Sequence, residues 1–459
     1  PRIGGEERLR RSLGHDQGPA RAGRSLPRRE AGPADGRPVR EDAEGDAKAP
    51  VLVKRRLRIL PAAASILLFL FPSPAFAGSA KVLQGDRQVA AHQYKKALKS
   101  FHDAIRKDPN DAEAMTRVGD LHASGQGVPR SDEEAAKWYA KAAALGNVEA
   151  RFALASRYAS GRGVVKDPAA AAKWCRLAAD QGHPGAQSLL GFLYEQGMGV
   201  PRDEAESLAW YRKAAGGGDV ATQKLLAWRH LEGVAVPKDP AAAAKWYRKA
   251  AEAGDPDAQA RLAAMYRNGI GVPKEPVEAA KWYRKAAEKG NAEAFAGYGR
   301  ALLYGSGVAP NESAAAEWIR KAASLGVPEG IFLQGVLYAF GRGEPKDDVE
   351  ALDAYRRSAE EGYVDGQLQI AGMYLTGRGA PQSDNTAAAW YLRAAEAGSP
   401  DAQVMLGWMH KIGRGVPKNL DESVRWFRLA AAQGNTVARD HLKYLEPLRA
   451  APVEKPPPK

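Results

Sequence analysis

The fold class that the sequence predicts is all-α. More narrowly it is an α-solenoid, a right-handed superhelix of stacked helical hairpins with a 36-residue period. Three observations predict it. Trp138, Trp174, Trp210, Trp246, Trp282, Trp318, Trp390 and Trp426 fall on a 36-residue spacing, and Ala354 holds the one phase without an indole. Two sets of glycines keep the same period, one from Gly125 to Gly413 and one from Gly146 to Gly434. Within each unit apolar residues return every three or four positions, the repeat of one helix face. Nine such units without insertion or deletion make a repeat array, not the about three globular domains that 459 residues would otherwise suggest.

The unit from Asp255 to Gly290 shows how each element arises. Ala258, Leu262 and Tyr266 form one stripe of a first helix, and the small Ala258 and Ala263 let a neighbouring helix come close. The Gly269-x-Gly271 loop ends that helix, because glycine tolerates the positive φ of a C-terminal cap. A turn through Val272-Pro273 leads to the second helix at Glu275-Pro276, matched in sister units by Asp167-Pro168 and Asp239-Pro240. These pairs read as a capping acceptor followed by proline at the first helical position. Ala279, Trp282, Tyr283, Ala286 and Ala287 form the second apolar face, and Gly290 closes it. Neither helix can bury its stripe alone, whereas stacked hairpins bury it continuously. The repeated Trp is expected to be the main wedge, burying about 4–6 kcal/mol of apolar surface per repeat. On that basis Trp246→Ala or Trp282→Ala is expected to cost about 3–5 kcal/mol. Ala354 is expected to mark a softer repeat unless a neighbour such as Leu352 fills the gap.

The units resemble Sel1-like repeats, a subclass of the tetratricopeptide superfamily. The resemblance is carried by Ala258-Gln259, Leu262, Tyr266-x-x-Gly269-x-Gly271-Val272, Ala280-Lys281-Trp282-Tyr283 and Ala286-Ala287-x-x-Gly290, and it covers residues 111–434 in nine repeats. It implies that first helices line a concave face and that the protein serves as a scaffold, as family members do in signalling and envelope assembly. Tyr94, Ala97, Phe101, Ala104-Ile105 and Asp108-Pro109 look like the second half of an ordinary tetratricopeptide unit, so 78–110 reads as an N-terminal cap. Residues 435–448 read as a C-terminal capping helix, and the Pro- and Lys-rich 449–459 as a disordered tail. The single cysteine departs from the paired cysteines of family members associated with β-lactam binding, which argues against that role here.

The N-terminal region has a different composition. Residues 1–50 hold five Leu, Ile, Val or Phe among many charged residues, too few to offset ordering entropy, and read as a disordered leader or mis-called upstream sequence. Val51–Ala77 has a basic start (Lys54, Arg55, Arg56, Arg58), an apolar run from Ile59 to Phe71 and an Ala75-Phe76-Ala77 end. That is the pattern of a secretory signal cut after Ala77, with translation expected to begin near Val51 or Val53. The apolar run spans about 20 Å as a helix, short of a membrane's roughly 30 Å core. The expected location is therefore periplasmic or secreted. The net charge of +13 divides as +2 over 1–50 (11 basic, 9 acidic), +4 over 51–77 and +7 over the remainder. A mildly basic body with both signs interspersed gives no reason to expect a nucleic-acid partner.

No residue pattern points to catalysis, a cofactor or a metal. His122, His230 and His410 take a phase that tyrosine holds elsewhere and read as packing residues. His183 beside Pro184 reads as turn chemistry, and His92 and His102 lack ligand-spaced partners. Cys175 follows Trp174 at a phase usually held by Tyr and reads as packing. The Gly-x-Gly loops follow helices and complete no nucleotide-binding pattern. Function is expected instead at exposed phases that vary. One runs Asp120, Ser156, Phe192, Trp228, Ala264, Arg300, Val336, Gly372, Trp408, and a second, four residues on, includes Tyr304 and Phe340. Exposed aromatics with Arg are the usual makings of a binding hot spot. Phe192, Trp228, Arg300, Tyr304, Phe340 and Trp408 are therefore the candidate partner-binding residues, with Arg300 and Tyr304 placed to engage a peptide carboxylate or a sugar ring. The sequence favours a non-catalytic adaptor that binds proteins or peptides. The alternative is a carbohydrate- or peptidoglycan-binding protein that assists envelope polysaccharide assembly or export.

Overall fold

The computed structural model describes residues 80–450. The leader at 1–50, the signal at Val51–Ala77 and the tail beyond residue 450 lie outside the described residues. Those described fall in one unit, Ser73–Lys459, and form twenty-one helices and no strand. Helices α1 (Ala80–Ala90) and α2 (Tyr94–Lys107) make an opening hairpin. Nine further hairpins follow, each a first and a second helix. They are α3 and α4 (Ala112–Ser124, Asp132–Ala144), α5 and α6 (Val148–Ser160, Pro168–Ala179), and α7 and α8 (Pro184–Gln196, Glu204–Gly216). Next come α9 and α10 (Val220–Glu232, Pro240–Glu252), α11 and α12 (Pro256–Asn268, Pro276–Glu288), and α13 and α14 (Ala292–Tyr304, Glu312–Ser324). The series ends with α15 and α16 (Pro328–Phe340, Asp348–Glu360), α17 and α18 (Val364–Thr376, Asp384–Glu396), and α19 and α20 (Pro400–Ile412, Leu420–Ala432). A single helix, α21 (Thr436–Ala450), closes the stack. No helix among the described residues is long and apolar enough to cross a membrane.

Local chemistry sets the helix ends. Asp167 and Asp239 accept the backbone N–H three residues on, as their Asp-Pro pairs predict. Glu275 makes no such bond, and its carboxylate is one methylene farther from the backbone. The first glycine of each loop takes φ near +70° and ends the first helix, as at Gly125 and Gly269. The second glycine answers a different need. A Cβ on Gly163 would stand 2.0 Å from the Asp132 carbonyl oxygen of the preceding hairpin, and one on Gly199 would stand 2.0 Å from that of Pro168. The loop tip therefore rests directly on the backbone of the hairpin before it. One loop breaks the rule: Ala235 holds this position with φ 60°.

The hairpin core corrects one expectation. The enclosed wedge is the residue after the Trp. Tyr139, Cys175, Tyr211, Tyr247, Tyr283, Ile319, Tyr355, Tyr391 and Phe427 are all buried. Of the indoles only Trp210, Trp282 and Trp426 are buried to that degree, and Trp138, Trp174, Trp246, Trp318 and Trp390 are half-buried. The wedge is seated on a row of Gly or Ala in the facing first helix. An added Cβ would stand 2.7 Å from the ring of Tyr139 at Gly119, and 2.7 Å from that of Tyr355 at Gly335. The half-buried indoles lie at the joints between successive core clusters. Trp138, Trp174, Trp318 and Trp390 each pack against two of them. Lysines three residues on cover several indole faces, with ammonium-to-ring distances of 3.8–4.6 Å for Lys141, Lys213, Lys249, Lys285 and Lys321. Ala354 is itself buried, in one cluster with Ala323 and Ile331.

Successive hairpins are also pinned by a buried glutamine. Gln187, Gln223, Gln259 and Gln403 each donate Nε2 to a carbonyl near the C-terminus of the preceding second helix, at 2.9–3.2 Å. Each of these carbonyls also accepts a backbone N–H from the turn that ends its helix, from Gly182, Gly218, Gly254 and Gly398, so the amide adds a second bond that crosses to the next hairpin. First helices of successive hairpins also approach one another directly (α5 and α7, α11 and α13, α13 and α15), more closely than any two second helices do. The first helices therefore line the tighter, inner side of the stack.

Two outcomes follow for stability. Tyr355→Ala is expected to cost about 3–5 kcal/mol, more than Trp246→Ala, because Tyr355 is 1% exposed and its cavity would be enclosed, whereas the Trp246 site is half open. Urea melts of the two variants check the order. Ala235→Gly is expected to stabilise the chain by about 1 kcal/mol, since φ 60° disfavours any Cβ.

Candidate partner-binding surface

The inner side carries the residues that the sequence singled out, and the structure sorts them into two groups. Phe192 (38% exposed) and Trp228 (40%) stand in neighbouring hairpins at matching positions of α7 and α9. Tyr304 (52%) and Phe340 (64%) do the same at the ends of α13 and α15. Each pair is an aromatic patch that crosses one joint of the stack. Leu189 and Leu225, half-buried, lie one turn before Phe192 and Trp228.

The other two candidates are engaged by the fold itself. Arg300 Nε lies 2.9 Å from Glu329 Oε1, and its Nη2 donates to the Tyr363 hydroxyl at 3.1 Å. Arg267 Nη1 donates to the same Glu329 oxygen at 2.9 Å. One carboxylate thus holds guanidiniums from α11 and α13 while standing on α15, and ties three hairpins along the inner side. The expected pairing of Arg300 with Tyr304 around a ligand carboxylate is therefore not what the structure places there: Glu329 already occupies Arg300, and the Tyr304 ring faces Arg342 at 5.5 Å. Trp408 is half-buried between two core clusters, with the Arg414 guanidinium 5.9 Å from its ring. Val336, in the same phase, is buried. This phase therefore changes depth along the stack, being open at Phe192 and Trp228 and closed at Val336.

Several polar residues escaped the sequence reading. Arg157 and Arg229 are buried at a phase that elsewhere holds Leu193, Leu337 or Met409. Arg157 Nη1 donates to Asp132 Oδ1 at 2.9 Å, a bond that holds the Asp132 carboxyl below the usual range. Arg229 pairs with Glu195, whose other oxygen accepts from the Tyr211 hydroxyl at 2.8 Å. A charge at an otherwise apolar phase was the available signal. Arg342, Arg378 and Arg414, at the middle of their Gly-x-Gly loops, reach back to Glu312, Asp348 and Asp384 of the preceding hairpins. They are inter-repeat ties in the last three loops of this type.

The residues with catalytic potential are placed as packing. Cys175 is fully buried, its Sγ donates to the Ala186 carbonyl at 3.0 Å, and burial pushes its thiol up to about 12. His102 stands edge-on to Trp138, and burial lowers its affinity for a proton. His183 caps α7, with Nδ1 accepting from the Ala186 N–H at 3.0 Å. Among the described residues no group of three or more His, Cys, Asp or Glu is arranged to hold a metal.

Glu329→Gln is expected to lower stability by about 1–2 kcal/mol, because two half-exposed guanidiniums lose their shared counter-charge. A thermal melt checks this, and the loss should shrink when Arg267→Met is added.

The Sel1 repeat family matches nine consecutive stretches, 112–147, 148–183, 184–219, 221–255, 256–291, 292–327, 328–363, 364–399 and 400–435. Among solved structures the chain is similar to a protective antigen of uropathogenic Escherichia coli that displays an SLR fold. That similarity is 30% identity over 81% of this chain and 88% of that one, with a TM-score of 0.60. It is also similar to a Sel1 repeat protein from Oxalobacter formigenes, at 32% identity over 53% of this chain and 97% of that one, with a TM-score of 0.43. Among curated proteins nothing matches the chain.

Proposed function

The chain belongs to the Sel1 repeat family, and from that premise we propose that it is a non-catalytic adaptor that binds a protein or peptide along the inner side of its stack. Repeat folds of this kind generally serve as protein-interaction scaffolds, and stacking of hairpins leaves an extended surface for a partner. The observation that carries the reading is the pair of aromatic patches, Phe192 with Trp228 and Tyr304 with Phe340, which stay open on the side where first helices crowd together. Burying such rings is favourable in water, and neighbouring rings on a rigid scaffold lose little entropy on contact. The ties through Glu329 and through Arg229 and Glu195 supply the rigidity. In this reading the protein is exported, the Val51–Ala77 segment is removed, and the adaptor works in the periplasm or outside the cell.

The test is affinity capture from envelope extract with the purified chain and with Phe192→Ala/Trp228→Ala and Tyr304→Ala/Phe340→Ala variants. The expected outcome is a defined protein retained by the parent and lost by at least one double variant, with thermal melts unchanged. Isolated cell-wall sacculi serve as the second bait. Retention on sacculi that the same variants abolish would favour the glycan reading instead. Capture that both variants leave intact would remove the inner side as the binding surface.

A further inference from the structure

The joint between the second and third repeats carries a titratable group where other joints have none. Sister first helices are capped by Asn147, Asp219, Asp255, Asn291 or Ser399, none of which changes form near neutrality. His183 takes that place ahead of α7, and its side chain is 13% exposed. Both ring nitrogens are engaged. Nδ1 accepts the Ala186 N–H at 3.0 Å and so carries no proton. The single ring proton therefore stands on Nε2, which lies 3.2 Å from Glu149 Oε2 on α5. The ring also lies over Phe152 of α5, with centroids 4.5 Å apart. Gly185 makes room for that pair: a Cβ there would stand 3.0 Å from Phe152 Cζ and 3.1 Å from His183 Cε1. One ring thus closes the start of α7 and joins it to the hairpin before.

These two bonds respond oppositely to a proton. A second ring proton can go only to Nδ1, where it would meet the Ala186 N–H donor against donor, and a positive ring at a helix N-terminus also opposes the helix dipole. The bond to Glu149 gains, because an imidazolium then faces a carboxylate. Other charged groups on the elements around α7 are turned elsewhere. Arg151 of α5 bonds the Ala143 carbonyl, Arg176 of α6 the Tyr194 hydroxyl, and Asp219 ahead of α9 the Thr222 N–H. Lys224 of α9 pairs with Asp255, Lys213 of α8 covers the Trp210 ring, and Asp180 and Arg212 are exposed. We propose that His183 is a proton-operated latch: neutral, it caps α7, and charged, it leaves the cap for Glu149 and releases the first turn of α7. That turn leads into Gln187, whose backbone N–H bonds the His183 carbonyl and whose Nε2 crosses to the Ala179 carbonyl at 3.1 Å. Loss of the cap therefore reaches the tie between the second and third repeats. The change falls between about pH 8 and pH 5, where an imidazole exchanges its proton. What the ring loses at the cap it partly regains at Glu149, so the event is a local rearrangement and not unfolding. The inference goes beyond the inner-side reading and does not depend on it.

Hydrogen–deuterium exchange of the full chain tests it, read over the first turn of α7 at about pH 7.5 and about pH 5.5 and corrected at each pH for the intrinsic exchange rate. Protection over residues 184–188 is expected to fall about fivefold at the lower pH. The first turn of α13, capped by Asn291, is expected to keep its protection. His183→Asn should hold the α7 turn alike at both pH values, because asparagine caps without titrating. Glu149→Gln should keep the fall and move its midpoint to lower pH, since the charged ring loses its counter-charge. Equal protection at both pH values in the parent, or a fall that His183→Asn retains, would overturn the latch. A midpoint that Glu149→Gln leaves in place would overturn the exchange of partners on which the latch works.

Discussion

The constraint on which the structure depends is the seat of one buried side chain, a ring in all but two of the nine repeats, against one small residue inside the hairpin. Tyr139 on Gly119, Tyr211 on Gly191, Tyr355 on Gly335 and Phe427 on Gly407 all bring a ring to a position where a methyl group would collide or nearly so. This sets how closely the two helices of a hairpin pack. The packing in turn sets where the loop tip lands, and the loop tip rests on the backbone of the hairpin before it. Spacing is passed along the chain by contact between neighbours, which is why a solenoid's stability is nearly a sum of unit and joint terms. The indole, the more conspicuous residue, acts one level up. Trp138, Trp174, Trp318 and Trp390 sit half-buried across joints and link cores that the neighbouring side chain has already formed.

Most of the fold was legible because its signals are periodic. Helix starts, glycine stops and apolar stripes recur at one spacing, so an error in any one unit is corrected by the others. What was not legible depended on direction. The sequence shows that Trp282 and Tyr283 are both large and apolar, but not which of the two points into the hairpin and which across the joint. Nor does it show that the second loop glycine is needed for a close backbone approach and not for its φ alone.

The candidate surface was legible only in part, for a related reason. Variation at two phases marks residues that the fold does not dictate, and the structure leaves Phe192, Trp228, Tyr304 and Phe340 of those phases exposed. Yet variation also marks residues recruited to tie particular hairpins together. Arg300 is one, and its partners are Glu329, in the next hairpin, and Tyr363, some sixty residues away. Tyr363 and Val327 both stand where other first helices have a side-chain cap, and neither makes one. In this stretch capping has given way to ties between hairpins. A single sequence cannot separate a residue freed for a partner from one committed to its own chain.

The loop at Ala235 gives the stack a grain. Every other loop of this type rests a bare backbone on its neighbour, and this one alone must fit a methyl group in a left-handed turn. A ladder whose rungs are held only by adjacent rungs divides first where one rung fits badly. Pulled from its ends or brought close to unfolding, this molecule would part between its third and fourth repeats. Phe192 would go to one fragment, and Trp228, Tyr304 and Phe340 to the other.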